Sequence, residues 1–156
     1  MIALDDSRAQ EDHCQMKVDP FTHQMVRFVS AMHVATYRLF GGIGWLNRNT
    51  LILTTRGRKS GRTIDKPLLY CQEDGKAYLV ASYGGSDAPP AWYLNLTADP
   101  EVEAQVGSSR RKYRARTLSA DEKRAVWPKL MAIYPSYADY QKKTTREIPV
   151  VELAPI

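Results

Sequence analysis

Short β-type segments, each bounded by turn residues, recur along this chain from residue 50 onwards. Asp74-Gly75 lies between two of them and predicts a hairpin. Because these roughly six segments lack regular βαβ alternation, they predict an α+β domain whose mainly antiparallel sheet closes into a barrel. The six segments are Thr50–Thr55, Thr63–Cys71, Ala77–Ser82, Val102–Val106, Arg111–Leu118 and Ile148–Leu153.

Helical patterns flank and interrupt these strands. Residues Phe21–Phe40 carry apolar side chains at helical spacing, and Gly41-Gly42 is placed to end that amphipathic helix. Pro89-Pro90 opens a short helix. Ser119 and Glu122 have the spacing of a capping box, which predicts a further helix running towards residue 134 and disturbed by the proline at 128.

The chain is long enough for one domain with one hydrophobic core. It has 156 residues, of which 44% are hydrophobic and 25% charged. Residues 1–18 lack apolar periodicity and predict a flexible acidic tail, which leaves residues 19–156 as a single domain. No apolar run is long enough for a membrane span and the N-terminus does not resemble a signal peptide, so we expect a cytoplasmic protein.

Cysteines and histidines give no sign of a metal site or a catalytic triad. Cys14 and Cys71 lack CxxC spacing. His13, His23 and His33 all precede the strands and do not share the i, i+4 spacing of a metal-binding pair. We therefore expect no metal and no nucleophilic triad.

Positive charge is concentrated in the domain. Residues 1–20 hold five acids and two bases, so the rest of the chain carries 20 bases and 12 acids. An excess of this sign indicates an anionic partner, but it does not distinguish nucleic acid, a phosphorylated cofactor and an acidic membrane surface.

A basic turn follows the first strand. Residues 54–62, with the sequence TTRGRKSGR, combine two glycines, four cations and three hydroxyl groups. Glycines let backbone N–H groups approach an anion closely, and Arg and Lys donate charge-assisted hydrogen bonds to phosphate or carboxylate oxygens. The turn is not a Walker A motif, since a strand rather than a helix follows it. It is either an anion-binding site or a solvated hairpin turn.

A second basic run lies on a predicted strand. Alternation places Arg110, Lys112, Arg114 and Arg116 on one strand face, which is typical of a solvent face. Basic strands with interleaved aromatic residues, here Tyr113, also occur in proteins that bind single-stranded nucleic acid.

Two aromatic segments complete the candidate sites. Residues 81–85, ASYGG, end a strand in a glycine pair that could lie against a flat ligand. Tyr134, Tyr137 and Tyr140 are spaced by three, which on a helix brings their rings together over a pocket or a core. Because the hydroxyl group of a buried tyrosine needs a hydrogen-bond partner, packing in an apolar core alone is a less favourable role for these residues than lining a pocket.

Three segments together resemble the deazaflavin-dependent nitroreductase and quinone reductase family, the flavin/deazaflavin oxidoreductases of split β-barrel fold that use coenzyme F420. They are LTTRGRKSGR at 53–62 with Pro67-Leu68, ASYGG and PAWYLNL within 81–96 with Asp99-Pro100, and YPSYADYQKKTTREIPV at 134–150. The resemblance covers nearly all of residues 50–153 in order. It implies a split β-barrel that holds the cofactor in a groove.

The resemblance also implies roles for particular residues. Arg58, Lys59 and Ser60 would hold the phosphate and the oligoglutamate tail of the cofactor. The deazaflavin ring would lie along the backbone of residues 81–85, and Tyr134, Tyr137 and Tyr140 would form a wall on the acceptor side. A hydroxyl group of this tyrosine wall or of Ser82 would stabilise charge on the acceptor or relay a proton to it. The implied cofactor-binding residues are Arg56, Arg58, Lys59, Ser60, Arg62, Lys66, Pro67, Leu68, Ala81, Ser82, Tyr83, Gly84, Gly85, Trp92 and Asn95, and the implied catalytic residues are Ser82, Tyr134, Tyr137 and Tyr140.

The implied activity is hydride transfer from reduced coenzyme F420 to a quinone or another electron-poor acceptor such as a nitroaromatic compound. Within the same fold the alternatives are an FMN-dependent enzyme and a non-catalytic cofactor carrier. From another class, the alternative is a basic module for nucleic acid or a membrane surface. We expect no nucleic-acid partner, and we leave open peripheral contact with the inner face of the plasma membrane through the Phe21–Phe40 helix. The oligomeric state is not predicted.

Overall fold

The computed structural model describes residues 49–156 together with Met32 and Ala35. The predicted acidic tail lies outside the described residues. The predicted amphipathic helix also lies outside them, apart from Met32 and Ala35, which are helical.

Six antiparallel strands form a closed barrel, which confirms the predicted fold class. The barrel order is β1-β2-β3-β6-β5-β4, and β4 pairs with β1 to close it. Hairpins join β2 to β3 through Asp74-Gly75 and β4 to β5 through residues 107–108. The strands are β1 Thr50–Arg56, β2 Thr63–Glu73, β3 Lys76–Val80, β4 Glu101–Val106, β5 Ser109–Thr117 and β6 Val150–Pro155.

Two apolar clusters stabilise this barrel. One fills the interior and includes Leu51, Leu53 and Leu153, all with no exposed surface. The other lies outside the barrel, where Val80 and Ile148 pack beneath helices. Successive residues of a strand point to opposite faces. Strands β3 and β6 contribute to both clusters, so each has buried apolar side chains on both faces.

Within residues 49–156, three α-helices accompany the strands: α1 Ala91–Ala98, α2 Ala120–Ile133 and α3 Ser136–Lys142. The predicted capping box begins α2. The Glu122 amide donates to Ser119 Oγ at 3.3 Å, and the Ser119 amide donates to Glu122 Oε2 at 2.9 Å. Both bonds satisfy amide groups that the first turn of a helix leaves unpaired.

Helix α2 runs from Ala120 to Ile133, as far as predicted, and contains Pro128. Because proline has no amide hydrogen, the Arg124 carbonyl loses its helical partner there. The predicted start of the last strand was wrong. Strand β6 begins at Val150 and not at Ile148, because the Ile148 amide donates to Gln141 Oε1 of α3 at 2.9 Å and is not available to a sheet.

Candidate active site

A groove of about 490 Å³ lies beside the barrel. Its walls come from two strands, from the turn at residues 82–86, and from the start of α1, the end of α2 and helix α3, which are far apart in the sequence. They are Lys66–Leu69 of β2, Val80 at the end of β3, Ser82–Gly84, Pro90–Trp92 at the start of α1, and the three tyrosines Tyr134, Tyr137 and Tyr140.

The groove brings together about half of the residues that the sequence singled out. Pro67 and Leu68, Ser82 and Tyr83, Trp92 and the three tyrosines all line it. The basic turn lies outside the lining, on the surface. Ala81, Gly85 and Asn95 are buried next to the groove and do not line it. What each of these residues does towards a ligand stays a prediction.

The basic turn is docked on the helix that borders the groove. Within the turn, the Gly57 amide donates to the Arg62 carbonyl at 2.8 Å. The backbone amide and Nη1 of Arg58 both donate to Asn95 Oδ1 of α1, each at 3.2 Å. Asn95 Nδ2 in turn donates to Thr55 Oγ1 of β1 at 3.4 Å. Asn95 therefore fixes the turn to the helix whose first residues line the groove.

The basic turn and the basic face of β5 differ in their ion pairs. Within residues 49–156, the cations of the turn form no ion pair, nor does Lys66 at the groove. On the exposed face of β5, Arg110 pairs with Glu103 at 2.6 Å and Arg114 pairs with Glu101 at 3.1 Å. Acidic residues thus offset much of the charge of the β5 face, while the charge of the turn is left for an external anion.

The two glycines of the ASYGG segment lie in different surroundings. Gly84 has a φ of +68°, and a Cβ atom there would meet nothing within 4 Å. Gly85 has a φ of +84°, and a Cβ atom there would lie 2.8 Å from the Tyr140 carbonyl oxygen. Close packing against α3 by itself therefore explains why residue 85 is glycine. Gly84, by contrast, lines the open groove.

The tyrosines form one continuous aromatic wall. The ring centroids of Tyr134 and Tyr137 are 5.1 Å apart, and those of Tyr137 and Tyr140 are 6.4 Å apart. The hydroxyl groups of Tyr134 and Tyr140 share a hydrogen bond of 2.9 Å. This bond lowers the pKa of Tyr134 and raises the pKa of Tyr140, because it favours the phenolate at Tyr134 with Tyr140 as the donor.

Tyr137 differs from its two neighbours. Its side chain is buried, with 6% of the residue exposed, and burial raises its pKa to about 12. No described residue accepts or donates a hydrogen bond at its hydroxyl group, yet no buried polar atom of the described chain is left without a partner. The hydroxyl group is therefore open to the groove that the residue lines. At neutral pH it is protonated and free to donate a hydrogen bond.

The sequence interpretation missed several contributors. Leu69, Val80, Pro90 and Ala91 line the groove but were not among the predicted site residues. Arg146 was quoted within the third motif without a role, and its side chain donates to backbone carbonyl groups of residues 81–86. A contact between side chain and backbone across more than 60 residues leaves no periodic signal in one sequence.

The described part of the chain holds no cluster of His, Cys, Asp or Glu that could bind a metal ion. Its one described cysteine, Cys71, is a free thiol whose pKa is raised by burial. No described helix has the length and apolar character to cross a bilayer. Peripheral membrane contact was predicted for residues outside the described part and stays a prediction.

The donor set of this site suits an anion with a planar ring. The basic turn supplies cations that form no ion pair within residues 49–156, and the groove bordered by the same helix, α1, supplies flat apolar walls. A family model described as F420H(2)-dependent quinone reductase matches residues 29–155. The chain belongs to this family. Membership confirms the predicted resemblance, and with it the oxidoreductase class and coenzyme F420 as the cofactor of the family.

Individual members of the F420H(2)-dependent quinone reductase family resemble the chain over most of its length. Rv3178 of Mycobacterium tuberculosis strain H37Rv, provisionally named for this activity, is 41% identical over 106 residues, 68% of this chain and 89% of the relative. F420H(2)-dependent quinone reductase Rv1261c of the same strain is 38% identical over 67% of this chain and 72% of its own length. The solved structure of an F420-H2 dependent reductase, FDR-A, superimposes with a TM-score of 0.64 at 40% identity, over 72% of this chain and 99% of that chain.

Proposed function

We propose that this protein reduces quinones with reduced coenzyme F420 and that the groove is its active site. One observation carries the proposal. Helix α1 borders a groove with flat walls and holds a basic turn whose cations pair with no acidic residue in the described part of the chain, and the Tyr137 hydroxyl group in this groove has no partner among those residues. A polyanionic cofactor with a planar ring and a planar carbonyl acceptor fit these three features together.

The turn would hold the anionic end of the cofactor. Arg58, Lys59 and Ser60 present two cations and a hydroxyl group there, and Arg56, Arg62 and Lys66 add charge nearby. Hydrogen bonds between cations and phosphate or carboxylate oxygens are the strong ones in proteins. Because Arg58 is bonded to Asn95, the position of this anion site is coupled to the first turn of α1, which includes Trp92.

The walls near β2 and the 82–86 turn would hold the ring. Pro67 and Leu68 offer a flat apolar surface, and Gly84 leaves space where a side chain would project. When bound, coenzyme F420 supplies the hydride. The protein positions ring and acceptor and excludes water.

The tyrosine wall would hold the acceptor. Tyr137 donates a hydrogen bond to the acceptor oxygen, on which negative charge develops during reduction. The hydroxyl groups of Tyr134 and Tyr140, already bonded to each other, can pass a proton along the wall. Quinones are the proposed acceptors. Nitroaromatic compounds are planar and electron-poor as well and form the second acceptor class to screen.

The first test is a titration of the purified protein with oxidised coenzyme F420, followed by tryptophan fluorescence, with FMN as a competing ligand. We expect saturable quenching by F420 and little by FMN. The double variant Arg58→Gln/Lys59→Gln should bind F420 at least about tenfold more weakly, since each charge-assisted hydrogen bond contributes roughly 1.5–3 kcal/mol.

The matched control is Lys112→Gln/Arg114→Gln, which removes the same charge from the β5 face. Its F420 affinity should stay within about twofold of the parent, because long-range effects of exposed charges are screened by salt. Equal losses in the two double variants would assign the binding to overall charge rather than to the turn. Preferential binding of FMN would replace the cofactor assignment.

A further inference from the structure

The turn at residues 82–86, which lines the groove, has a backbone conformation that its sequence does not favour. Here, "the turn" means this 82–86 turn. Tyr83 has a φ of +48°, which is uncommon for any residue except glycine and costly for a bulky one. It is 56% exposed and lines the groove. Within the turn only two backbone hydrogen bonds form, from the Gly85 amide to the Ser82 carbonyl at 3.0 Å and from the Ser86 amide to the Tyr83 carbonyl at 3.2 Å. These bonds do not attach the turn to the barrel.

At the start of the turn the Ala81 amide donates to the Pro149 carbonyl at 2.9 Å, and Arg146 adds three hydrogen bonds from the loop before β6. Its Nε donates to the Ser86 carbonyl at 2.8 Å, and its Nη2 donates to the carbonyls of Ala81 at 3.1 Å and Ser82 at 2.9 Å. The planar guanidinium group thereby bridges both ends of the turn. Arg146 forms no ion pair with the residues that the structure describes.

Arg146 is itself fixed to the helix that carries two of the tyrosines. Gln141 of α3 donates through Nε2 to the Arg146 carbonyl at 2.9 Å. Two residues before Arg146, Thr144 Oγ1 donates to Asp87 Oδ1 at 2.6 Å. Gly85 packs directly against the backbone of α3 at Tyr140. Segment 144–146 therefore reinforces the direct contact between the 82–86 turn and α3, which carries Tyr137 and Tyr140 of the groove.

We propose that Arg146 is a positioning residue that holds Tyr83 at the groove and fixes the distance between the turn and the tyrosine wall. It acts through the backbone carbonyls and not by contact with a ligand. The groove is therefore formed before anything binds, which spares the binding step the cost of ordering the turn. The inference rests on the proposed function only in assigning the cofactor ring to this groove.

The test compares Arg146→Lys with Arg124→Lys. Lysine keeps the charge but lacks the fork that reaches both ends of the turn. Arg124 is an exposed arginine of α2 whose partner is Asp121, so its substitution provides the matched control. Amide hydrogen exchange of a peptide covering residues 81–87 is measured without any ligand. We expect exchange in Arg146→Lys to be about tenfold faster or more, and exchange in Arg124→Lys to match the parent.

A second pair of variants tests the link to Tyr83. Asparagine adopts positive φ more readily than tyrosine, so Tyr83→Asn should lessen the dependence of the turn on Arg146. In a double-mutant cycle, Arg146→Lys should accelerate exchange less in the Tyr83→Asn background than in the parent. An arginine that only stabilised the fold would give the same acceleration in both backgrounds. If Arg146→Lys does not fold, Thr144→Val, which breaks the bond to Asp87, should show the same direction of change.

Binding of oxidised coenzyme F420 is the remaining readout. Arg146→Lys should bind it about fivefold to twentyfold more weakly, because part of the binding free energy must then order the turn. Parental exchange rates in Arg146→Lys would overturn the positioning role, and so would a loosened turn with parental F420 affinity. If the parent itself binds no F420, the proposed function fails, and the exchange measurements alone decide whether Arg146 holds the turn.

Discussion

At the scale of single residues, Tyr137 combines a buried ring with a hydroxyl group that has no partner among the described residues. Tyr137→Phe should therefore lower kcat for quinone reduction by roughly 100- to 1,000-fold, the order of effect seen when one donor to a developing negative charge is removed. F420 affinity should not change, because the wall formed by the rings is kept. Steady-state kinetics with the fluorescence titration separate the two effects.

Tyr93→Phe is the matched control, because the Tyr93 hydroxyl group is bonded to Thr117 Oγ1 at 3.1 Å and does not line the groove. Its kcat should equal that of the parent. The raised pKa of Tyr137, about 12, also means that its proton is kept throughout the neutral range. A loss of kcat in the parent that follows an ordinary phenol pKa near 10 would assign the donor to another group.

At the scale of elements, Arg116 of β5 joins helix α2 to the barrel and also pairs with a buried carboxylate. Glu152 of β6 is 5% exposed and accepts from Arg116 Nε at 2.9 Å, while Arg116 also pairs with Glu122 in the first turn of α2. Burial alone would raise the pKa of Glu152, but hydrogen bonds from Arg116 and Lys76 outweigh it, and the pKa is lowered.

Arg116→Ala should destabilise the protein by about 1–2 kcal/mol at pH 7 in urea unfolding. Removing one partner of a buried ion pair costs more than this, but Arg116 is half exposed and water replaces part of the interaction. Arg114→Ala, which breaks an exposed pair, should cost well under about 1 kcal/mol.

The effect of Arg116→Ala should also depend on pH in a definite direction. A carboxylate whose pKa is lowered by folding contributes stability above its unfolded pKa, and that contribution is lost as the pH falls through the folded pKa. The difference between parent and Arg116→Ala should therefore shrink below about pH 4. A difference that is constant from pH 7 to pH 3 would attribute the loss to packing of the arginine side chain.

At the scale of the whole molecule, cations that pair with acidic residues differ from those of the basic turn at 54–62. We propose that the cations of the basic turn bind the cofactor. Saturating oxidised F420, at about 100 times its Kd, should stabilise the folded state by about 2.7 kcal/mol. For a chain of this size, that free energy corresponds to a rise in Tm of roughly 5–10 °C in a thermal scan. Raising the salt from 50 to 500 mM should reduce this rise, because exposed cations of the turn are then screened. A salt-independent rise would contradict the role of the turn.

Much of the fold was predictable from local patterns. The β-type segment Thr50–Thr55 and the turn residues Asp74-Gly75 are signals that depend only on neighbouring residues, and both the strand and the hairpin were found. The capping box of α2 is local in the same sense. Ile148 was placed in a strand because its own sequence neighbourhood is β-like, and a side-chain contact from α3 changed the outcome.

The candidate site was predictable in residue type but not in arrangement. The basic turn, the ASYGG segment and the three tyrosines were recognised as motifs, and the groove brings the last two together. That the turn is docked on α1 through Asn95, or that Gly85 serves the packing of α3, does not follow from any motif. Both contacts join residues that lie dozens of positions apart.

The sequence by itself determined the strands, the turns, the helix caps and the family, because periodicity, turn chemistry and motif spacing act between near neighbours. Only the tertiary structure decided, among the described residues, which cations form no ion pair, which phenol has no hydrogen-bond partner and which side chain bonds to the carbonyls of the 82–86 turn. Those properties depend on what each group meets across the barrel. Arg110 and Arg58 look alike in the sequence. One faces a glutamate on the next strand, and the other faces an amide oxygen and solvent.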